Sequence, residues 1–322
     1  MSVDATRAVL EAVGAHEPAS LESLAGGTYN AVTRVTFADG TDWVVKIPPA
    51  NGTGLSYEQR LLVNEVTFYA AATGDATIPQ VVHSELDPEA PGGAYVIMTA
   101  CPGQPWSAVG DELTAGETRA LRAEFGSIVG RLHGVTRPAG FGYPGESLGP
   151  LSPTWRGAFA DMTGAVLADA ERYGARLPRP VDQIREVLAG ASDVLDEVTR
   201  PALVHFDLWQ GNVLVTEVPG ARRIGGIIDG ERMFWGDPVA DFVSTSLFDD
   251  PETDRDFLAG YASATGVPVV FTSSLRRRLN LYRAYLYLIM LTETVPRAAG
   301  PEASAGTWKA VAPRLVAALE AL

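Results

Sequence analysis

The stretch Val204-His205-Phe206-Asp207-Leu208-Trp209-Gln210-Gly211-Asn212 brings a histidine, an acid and an amide into one short run, and Ile227-Ile228-Asp229 adds a second acid downstream. Two β-rich runs lie between the amide and this second acid, and Pro219-Gly220 separates them, which is the pattern of a β-hairpin. Because hairpin strands pair antiparallel, the first strand begins beside the end of the second. We therefore expect Asn212 and Asp229 to be neighbours.

These residues suit the chemistry of a metal ion beside a base. Asp207 lies upstream of Asn212 on a loop and can face the same space as the hairpin residues. Carboxylate and amide oxygens are hard ligands of the kind that Mg²⁺ prefers. A second carboxylate is then free to accept a proton. The sequence therefore predicts Asn212 and Asp229 as metal ligands and Asp207 as a general base.

The order His205-x-Asp207-x-x-x-x-Asn212, followed by Asp229, resembles the catalytic and metal-binding loops of the protein-kinase-like fold. The form is that of the aminoglycoside phosphotransferase family of small-molecule kinases. Gly236-Asp237-Pro238-x-x-Asp241-Phe242 is also similar to the pattern that follows the metal-binding Asp in this family. In such a loop we expect His205 and Asp241 to brace the backbone rather than contact substrate.

The resemblance implies an α+β fold of two lobes and a kinase activity. Residues 1–99 would form a small, β-rich nucleotide-binding lobe, residues 100–104 a hinge, and residues 105–322 a larger, mostly helical lobe with the catalytic hairpin and the acceptor site. The γ-phosphoryl group of ATP or GTP would pass, with the help of Mg²⁺, to a hydroxyl of a small molecule. Helical patterns are predicted at 5–14, 56–72, 113–133, 154–173, 180–198, 252–265, 275–295 and 307–321.

Lys46 stands out because the chain contains only two lysines, the other being Lys309, among many arginines. It lies on a predicted strand whose period of two places Val44 and Lys46 on one face. An apolar surface beside one compact ammonium group suits an adenine ring next to phosphates. By the resemblance, the glycine-rich segment upstream would cover these phosphates with Gly26, Gly27, Thr28 and Asn30.

The next predicted helix supplies a partner for Lys46. Ser56 with Gln59 forms a capping-box pattern at its start. Glu65 has apolar residues three and four positions away on both sides, so its carboxylate lies on an apolar stripe. A buried carboxylate without a partner is costly, and we therefore expect it to face Lys46. Glu58, on the same flank, is the second candidate.

The predicted hinge follows the strand that ends at Met98. Pro102-Gly103 prevents the strand from continuing. The resemblance places Met98, Thr99 and Cys101 beside the nucleotide, with backbone groups of residues 99–101 binding the purine edge. Gly230-Glu231 departs from the aromatic residue that is frequent after the metal-binding Asp. Glu231 would then either assist a second metal ion or pair with Arg232 or Arg223.

Composition excludes several classes of protein and of partner. One cysteine rules out an internal disulfide, and no apolar run approaches the roughly 20 residues of a membrane helix. The net charge of −14 argues against nucleic-acid and anionic-membrane partners. The N-terminal residues lack the pattern of a signal peptide, and we expect a cytoplasmic protein.

The acid-rich stretch from Asp249 to Asp256 bears on the acceptor. It forms either a rim that binds cations or a solvated helix start. A cation-binding rim, together with the net charge of −14, predicts a polar, cationic, hydroxylated acceptor such as an aminoglycoside or a related antibiotic. Such an acceptor implies a role in antibiotic resistance. One alternative is a metabolite kinase of the same fold acting on an amino alcohol, a sugar or homoserine. The other is a pseudokinase that binds nucleotide without turnover, against which the intact Lys46, Asp207, Asn212 and Asp229 argue.

Overall fold

The structure, a computed structural model, describes residues 2–24, 30–49, 54–136 and 140–322. Ten α-helices lie within these ranges: α1 Ser2–Ala12, α2 Leu61–Ala71, α3 Trp106–Val109, α4 Ala115–Gly134, α5 Trp155–Tyr173, α6 Val181–Gly190, α7 Phe242–Thr245, α8 Arg255–Thr265, α9 Ser273–Thr292 and α10 Pro301–Glu320. The strands of the described residues are β1 Ser20–Ser23, β2 Ala31–Thr36, β3 Asp42–Ile47, β4 Val81–Glu85, β5 Tyr95–Thr99, β6 Gln104–Pro105, β7 Ala202–Val204, β8 Val213–Val218, β9 Ala221–Ile227 and β10 Phe234–Gly236.

The N-terminal lobe is built on a five-stranded antiparallel sheet in the order β1-β2-β3-β5-β4. Val45 and Ile97 are fully buried on the face that α1 covers. Val44 and Met98 are paired across β3 and β5 and pack into the other cluster, which continues into the C-terminal lobe. Strand alternation therefore directs Lys46 to the inner face of the sheet together with Val44, as predicted.

Helix α2 covers this inner face, and its start differs from the predicted one. Residues Ser56–Arg60 form a 3₁₀ turn before the α-helix begins. The predicted pair of Ser56 and Gln59 is not the cap: Glu58 accepts from the backbone N–H of Leu55 at 2.7 Å. Ser56 instead donates from its backbone N–H and its hydroxyl to the carboxylate of Asp169 on α5, at 2.6 and 2.7 Å. A side chain of the helical lobe thus fixes the start of the helix.

The C-terminal lobe is mostly helical around a three-stranded sheet in the order β6-β8-β9. Strands β8 and β9 form the predicted hairpin, which closes through the two-residue turn Pro219-Gly220. The predicted helix at 180–198 is broken, because α6 ends at Gly190 and a 3₁₀ turn, Ser192–Glu197, follows. Glycine and serine are weak helix formers and fall at this break. No helix of the described ranges is long and apolar enough to cross a membrane.

Candidate active site

One buried carboxylate, that of Asp241, accepts hydrogen bonds from the backbone of the loop between β7 and β8. Asp241 accepts the backbone N–H groups of Phe206 and His205 at 2.6 and 3.1 Å, and His133 contacts it at 2.9 Å. Nε2 of His205 lies 3.0 Å from the carbonyl oxygen of Ile228 at the end of the hairpin. Both His205 and Asp241 therefore brace the loop, as the sequence predicted.

The loop and the hairpin bring Asp207, Asn212 and Asp229 together. The backbone N–H of Ile228 donates to the carbonyl of Asn212 at 3.0 Å, which makes Asn212 and Asp229 neighbours as predicted. Nδ2 of Asn212 donates to Oδ2 of Asp207 at 3.0 Å and to its backbone carbonyl at 2.9 Å. Oδ1 of Asp207 has no hydrogen-bond donor in the described part of the chain, and it is not fully enclosed. This oxygen is available to accept a proton from an acceptor hydroxyl.

The electrostatics of Asp207 favour that role. Burial raises the pKa of Asp207 above its ordinary value, and the nearby Arg232 opposes this shift. A base that operates near neutral pH works best when its pKa is raised toward that range.

Lys46 bridges the two lobes through two carboxylates. Its Nζ lies 2.6 Å from Oε1 of Glu65 and 2.6 Å from Oδ1 of Asp229. Burial by itself lowers the pKa of Lys46, but the two carboxylates outweigh it and hold the pKa well above its ordinary value. Tyr69 donates to Oε1 of Glu65 at 2.7 Å, and its hydroxyl accepts the backbone N–H of Asp229 at 3.1 Å. Glu65 is thus the partner that the sequence predicted for Lys46.

Asp229 and the residue after it are fixed by close packing. Asp229 has a φ of 66°, in the left-handed region that residues with a Cβ seldom occupy. A Cβ on Gly230 would lie 2.5 Å from the ring of Phe68 on α2. The departure at Gly230 therefore has a steric reason, since any larger residue would push α2, which carries Glu65, away from the loop.

Three acids near Lys46 lie close enough together to hold a cation. One oxygen each of Glu65, Asp229 and Glu231 lies within 4.8 Å of the others. Burial first, and then Asp229, raise the pKa of Glu231 well above its ordinary value. Its Oε2 accepts from Nδ2 of Asn30 at 2.7 Å. Within the described ranges Glu231 forms no ion pair with Arg232 or Arg223, the partners that the sequence left open. Oε2 of Glu65 is buried without a hydrogen-bond partner among the described residues. Such oxygens fit Mg²⁺.

The predicted nucleotide site is described in part. Gly26, Gly27 and Thr28 lie outside the described residues. In the predicted hinge, the backbone N–H of Thr99 donates to Gln80 at 2.9 Å and that of Ala100 to Asp42 at 3.0 Å. The N–H of Cys101 binds no acceptor in the described ranges.

The acid-rich stretch is largely neutralised by arginines that are distant in sequence. Three of its members form ion pairs: Asp250 with Arg283, Glu252 with Arg276 and Asp254 with Arg122. The side chains of Asp250 and Asp254 also cap the helical turns that follow them. These contacts match the solvated helix start that the sequence allowed.

Two residues near Asp207, Arg232 and Glu293, were not predicted to lie there. Nε of Arg232 lies 3.9 Å from Oδ2 of Asp207, and its Nη2 donates to Glu293 at 2.9 Å. Glu293 follows the last residue of α9, and only the packing of that helix brings it to the site.

The chain is similar to known proteins both in sequence and in fold. A model of the phosphotransferase enzyme family APH matches residues 20–281. A candidate ketoamine kinase of Vibrio vulnificus is 31% identical over 105 residues, 33% of this chain and 32% of that protein. Another, from Synechocystis, is 29% identical over 149 residues, 44% of this chain and 43% of that protein. The chain thus aligns with less than half of either relative.

Solved structures match over nearly the whole chain. A candidate fructosamine-3-kinase from Thermobifida fusca has a TM-score of 0.67 and 22% identity, with 99% of each chain covered. A thermostable mutant of the aminoglycoside phosphotransferase APH(4)-Ia, in a ternary complex with AMP-PNP and hygromycin B, has a TM-score of 0.61 and 19% identity, with 98% of this chain and 97% of that chain covered. At these identities the likeness shows the fold, which is the two-lobed, protein-kinase-like α+β fold. The family match extends over most of the chain, and the protein therefore belongs to the APH phosphotransferase enzyme family.

Proposed function

We propose that this protein transfers the γ-phosphoryl group of ATP to a hydroxyl of a small, amine-bearing sugar, with Asp207 as the base. The observation that carries the proposal is the unoccupied Oδ1 of Asp207, on a carboxylate whose other oxygen is fixed by Asn212. As the hydroxyl oxygen bonds to phosphorus, its proton passes to Asp207, and the bond from phosphorus to the bridging oxygen of ADP breaks.

The remaining groups position the nucleotide. Lys46 would bind its phosphates, and Glu65 would hold the ammonium in place. Asp229 and Asn212, which are neighbours at the end of the hairpin, would hold Mg²⁺. Glu231, one of whose oxygens lies within 4.8 Å of an oxygen of Asp229, would be available for a second ion. When bound there, Mg²⁺ supplies positive charge to the phosphate oxygens.

The purine would lie between the lobes at residues 100–104. Val44 and Met98 offer apolar surface on the inner face of the sheet. The N–H of Cys101 is the proposed donor to the ring, because those of Thr99 and Ala100 are already used within the protein. The loop with Gly26, Gly27, Thr28 and Asn30 would cover the phosphates.

The acceptor is proposed from chemistry that the relatives' names share. Ketoamines and aminoglycosides both place an amine near sugar hydroxyls. A protein with a net charge of −14 attracts such cations over long range. We favour a ketoamine because all three curated relatives carry that name. An aminoglycoside is the second candidate, favoured by the family match.

A labelled-phosphate assay tests the proposal. The protein, γ-labelled ATP or GTP and Mg²⁺ are incubated with a panel of fructosyl-amines, aminoglycosides, amino alcohols and neutral sugars. Label should appear on a ketoamine, and Asp207→Asn should lose it. The KM for a cationic acceptor should rise with added salt more than the KM for nucleotide, since salt screens exposed charge. Transfer only to neutral acceptors, or full activity of Asp207→Asn, would refute the assignment.

A further inference from the structure

The guanidinium of Arg232 lies beside Asp207 without binding it. The distance from its Nε to Oδ2 of Asp207 is 3.9 Å, beyond hydrogen-bond range, whereas Nη2 is 2.9 Å from Oε2 of Glu293. Neither Nε nor Nη1 of Arg232 donates a hydrogen bond within the described residues, and neither is fully enclosed. Two donors therefore remain free next to the catalytic carboxylate.

Without another partner for its guanidinium, Arg232 would form a closer ion pair with Asp207. An arginine next to a carboxylate gains most from two parallel hydrogen bonds, one to each oxygen. A shift of about 1 Å would bring Nε of Arg232 to hydrogen-bond distance of Oδ2 of Asp207. The second bond of the pair would then go to Oδ1, the oxygen that has no donor among the described residues. A bidentate pair would occupy the oxygen that must receive the acceptor proton.

Glu293 opposes that shift from the other side. Its Oε2 binds Nη2 of Arg232 at 2.9 Å and also lies 3.2 Å from Nη2 of Arg297. Arg297 in turn pairs with Glu58 at 2.8 Å. The side chains of these four residues are each at most 20% exposed, and their charges alternate. Because each ion is held by its neighbours, the position of Glu293 is well fixed.

We propose that Glu293 is a positioning residue that holds Arg232 off Asp207 and so keeps Oδ1 free for the acceptor hydroxyl. The inference rests on the proposed function of Asp207 as the base. Arg297 and Glu58 support it by linking Glu293 to the 3₁₀ turn Ser56–Arg60 that precedes α2.

A double-mutant cycle tests the proposal. Glu293→Gln keeps the size of the side chain and removes its charge, and it should lower kcat about 10-fold or more with the Kd of nucleotide unchanged, as expected for one new charge-assisted pair. In an Arg232→Gln background the same change should cost less than about 2-fold, since no cation is left to occupy the base. Equal losses in both backgrounds would overturn the proposal.

Two further variants separate charge from packing. Glu293→Asp keeps the charge and should retain most of the kcat that Glu293→Gln loses. The control Asp193→Asn removes a surface acid that pairs with Arg277, a residue of α9, the helix that precedes Glu293. Its kcat should equal that of the wild type. Equal losses in Glu293→Asp and Glu293→Gln would mean that Glu293 acts by packing, and the proposal would fall.

A crystal structure tests whether Glu293 keeps Arg232 away from Asp207 without relying on enzyme activity. In a crystal structure of Glu293→Gln, a guanidinium nitrogen of Arg232 should lie about 3 Å from Oδ1 of Asp207. An unchanged separation would refute the proposal. If the wild type phosphorylates no acceptor, the proposed function fails, while this distance still reports whether Glu293 restrains Arg232.

Discussion

Replacing Lys46 with methionine should destabilise the protein in a way that magnesium reverses. The ammonium bonds Glu65, which is fully buried, and Asp229, whose side chain is 36% exposed. Breaking a buried pair by removing one partner costs about 3–5 kcal/mol. We assign most of that cost to Glu65, because solvent screens the exposed partner. At about 2–4 °C per kcal/mol for a large domain, Tm should fall by roughly 6–20 °C.

Magnesium should restore much of this loss. Without the ammonium, Glu65 and Asp229 have lost their shared cation, and one oxygen of each lies within 4.8 Å of an oxygen of Glu231. A ligand that binds only the folded state stabilises it by about 2.7 kcal/mol at 100 times its Kd. Mg²⁺ should therefore raise the Tm of Lys46→Met more than that of the wild type.

Thermal unfolding in EDTA and in excess MgCl₂ measures both effects. Lys309→Met is the matched control, because it removes the other lysine of the chain from an exposed position on α10. If Lys46→Met melts within about 2 °C of Lys309→Met in EDTA, the ammonium does not stabilise the acids. If Mg²⁺ raises the Tm of Lys46→Met no more than that of Lys309→Met, Mg²⁺ does not take the place of the ammonium among the acids.

Three other predictions concern single carboxylates. Asp207→Asn should keep its nucleotide Kd and lose about 10²–10⁴-fold in kcat, measured by steady-state kinetics, and more than half of the wild-type kcat would contradict the base role. Only the ionised form of Asp207 accepts a proton, and burial raises its pKa, so kcat/KM should be highest above that pKa and fall as pH drops through it. A kcat/KM that stays constant down to the pKa of an ordinary aspartate would contradict the raised pKa of Asp207. Burial and the nearby Asp229 raise the folded-state pKa of Glu231, so the folded state binds the proton of this carboxyl more tightly than the unfolded state does. Without metal, the stability that Glu231 contributes is therefore present below its unfolded-state pKa and lost as pH rises through its folded-state pKa. Glu231→Gln should therefore have a higher Tm than the wild type at neutral pH in EDTA. If the Tm of the two proteins changes with pH in parallel, the pKa of Glu231 is not raised by folding.

The parts of the fold that local pattern determines were predictable. Strand period placed Lys46 on the inner face, and the short turn at Pro219-Gly220 paired β8 with β9 so that the start of one lies beside the end of the other. A register shift between Leu214 and Val215, which the sequence did not predict, completes the alignment of Asn212 with Ile228. The pairing of Glu65 with Lys46 followed because a buried acid on an apolar stripe needs a cation. Each of these rests on residues that are close in sequence or on one strong energetic requirement.

What escaped prediction depends on packing between distant segments. Glu293 reaches Arg232 only through the position of α9, and the strand pair β7 and β10 is too short to give a periodic signal. The acids at 249–256 look like an open cluster in the sequence, because their partners Arg122 and Arg276 come from other helices. The cap at the start of α2 was also assigned to the wrong residue, since Asp169 on α5 takes the hydroxyl of Ser56.

The bond between Ser56 and Asp169 limits how modular the two lobes are. The helix that presents Glu65 to Lys46 belongs by sequence to the sheet-bearing half, yet its first residues are fastened to α5. Gly54 is held there too, since the hydroxyl of Tyr173 on α5 donates to its carbonyl at 2.7 Å. A chimera joined at residues 100–104 would part these residues from their partners. An exchange of acceptor specificity between relatives would therefore have to transfer the 54–60 segment together with the helical half.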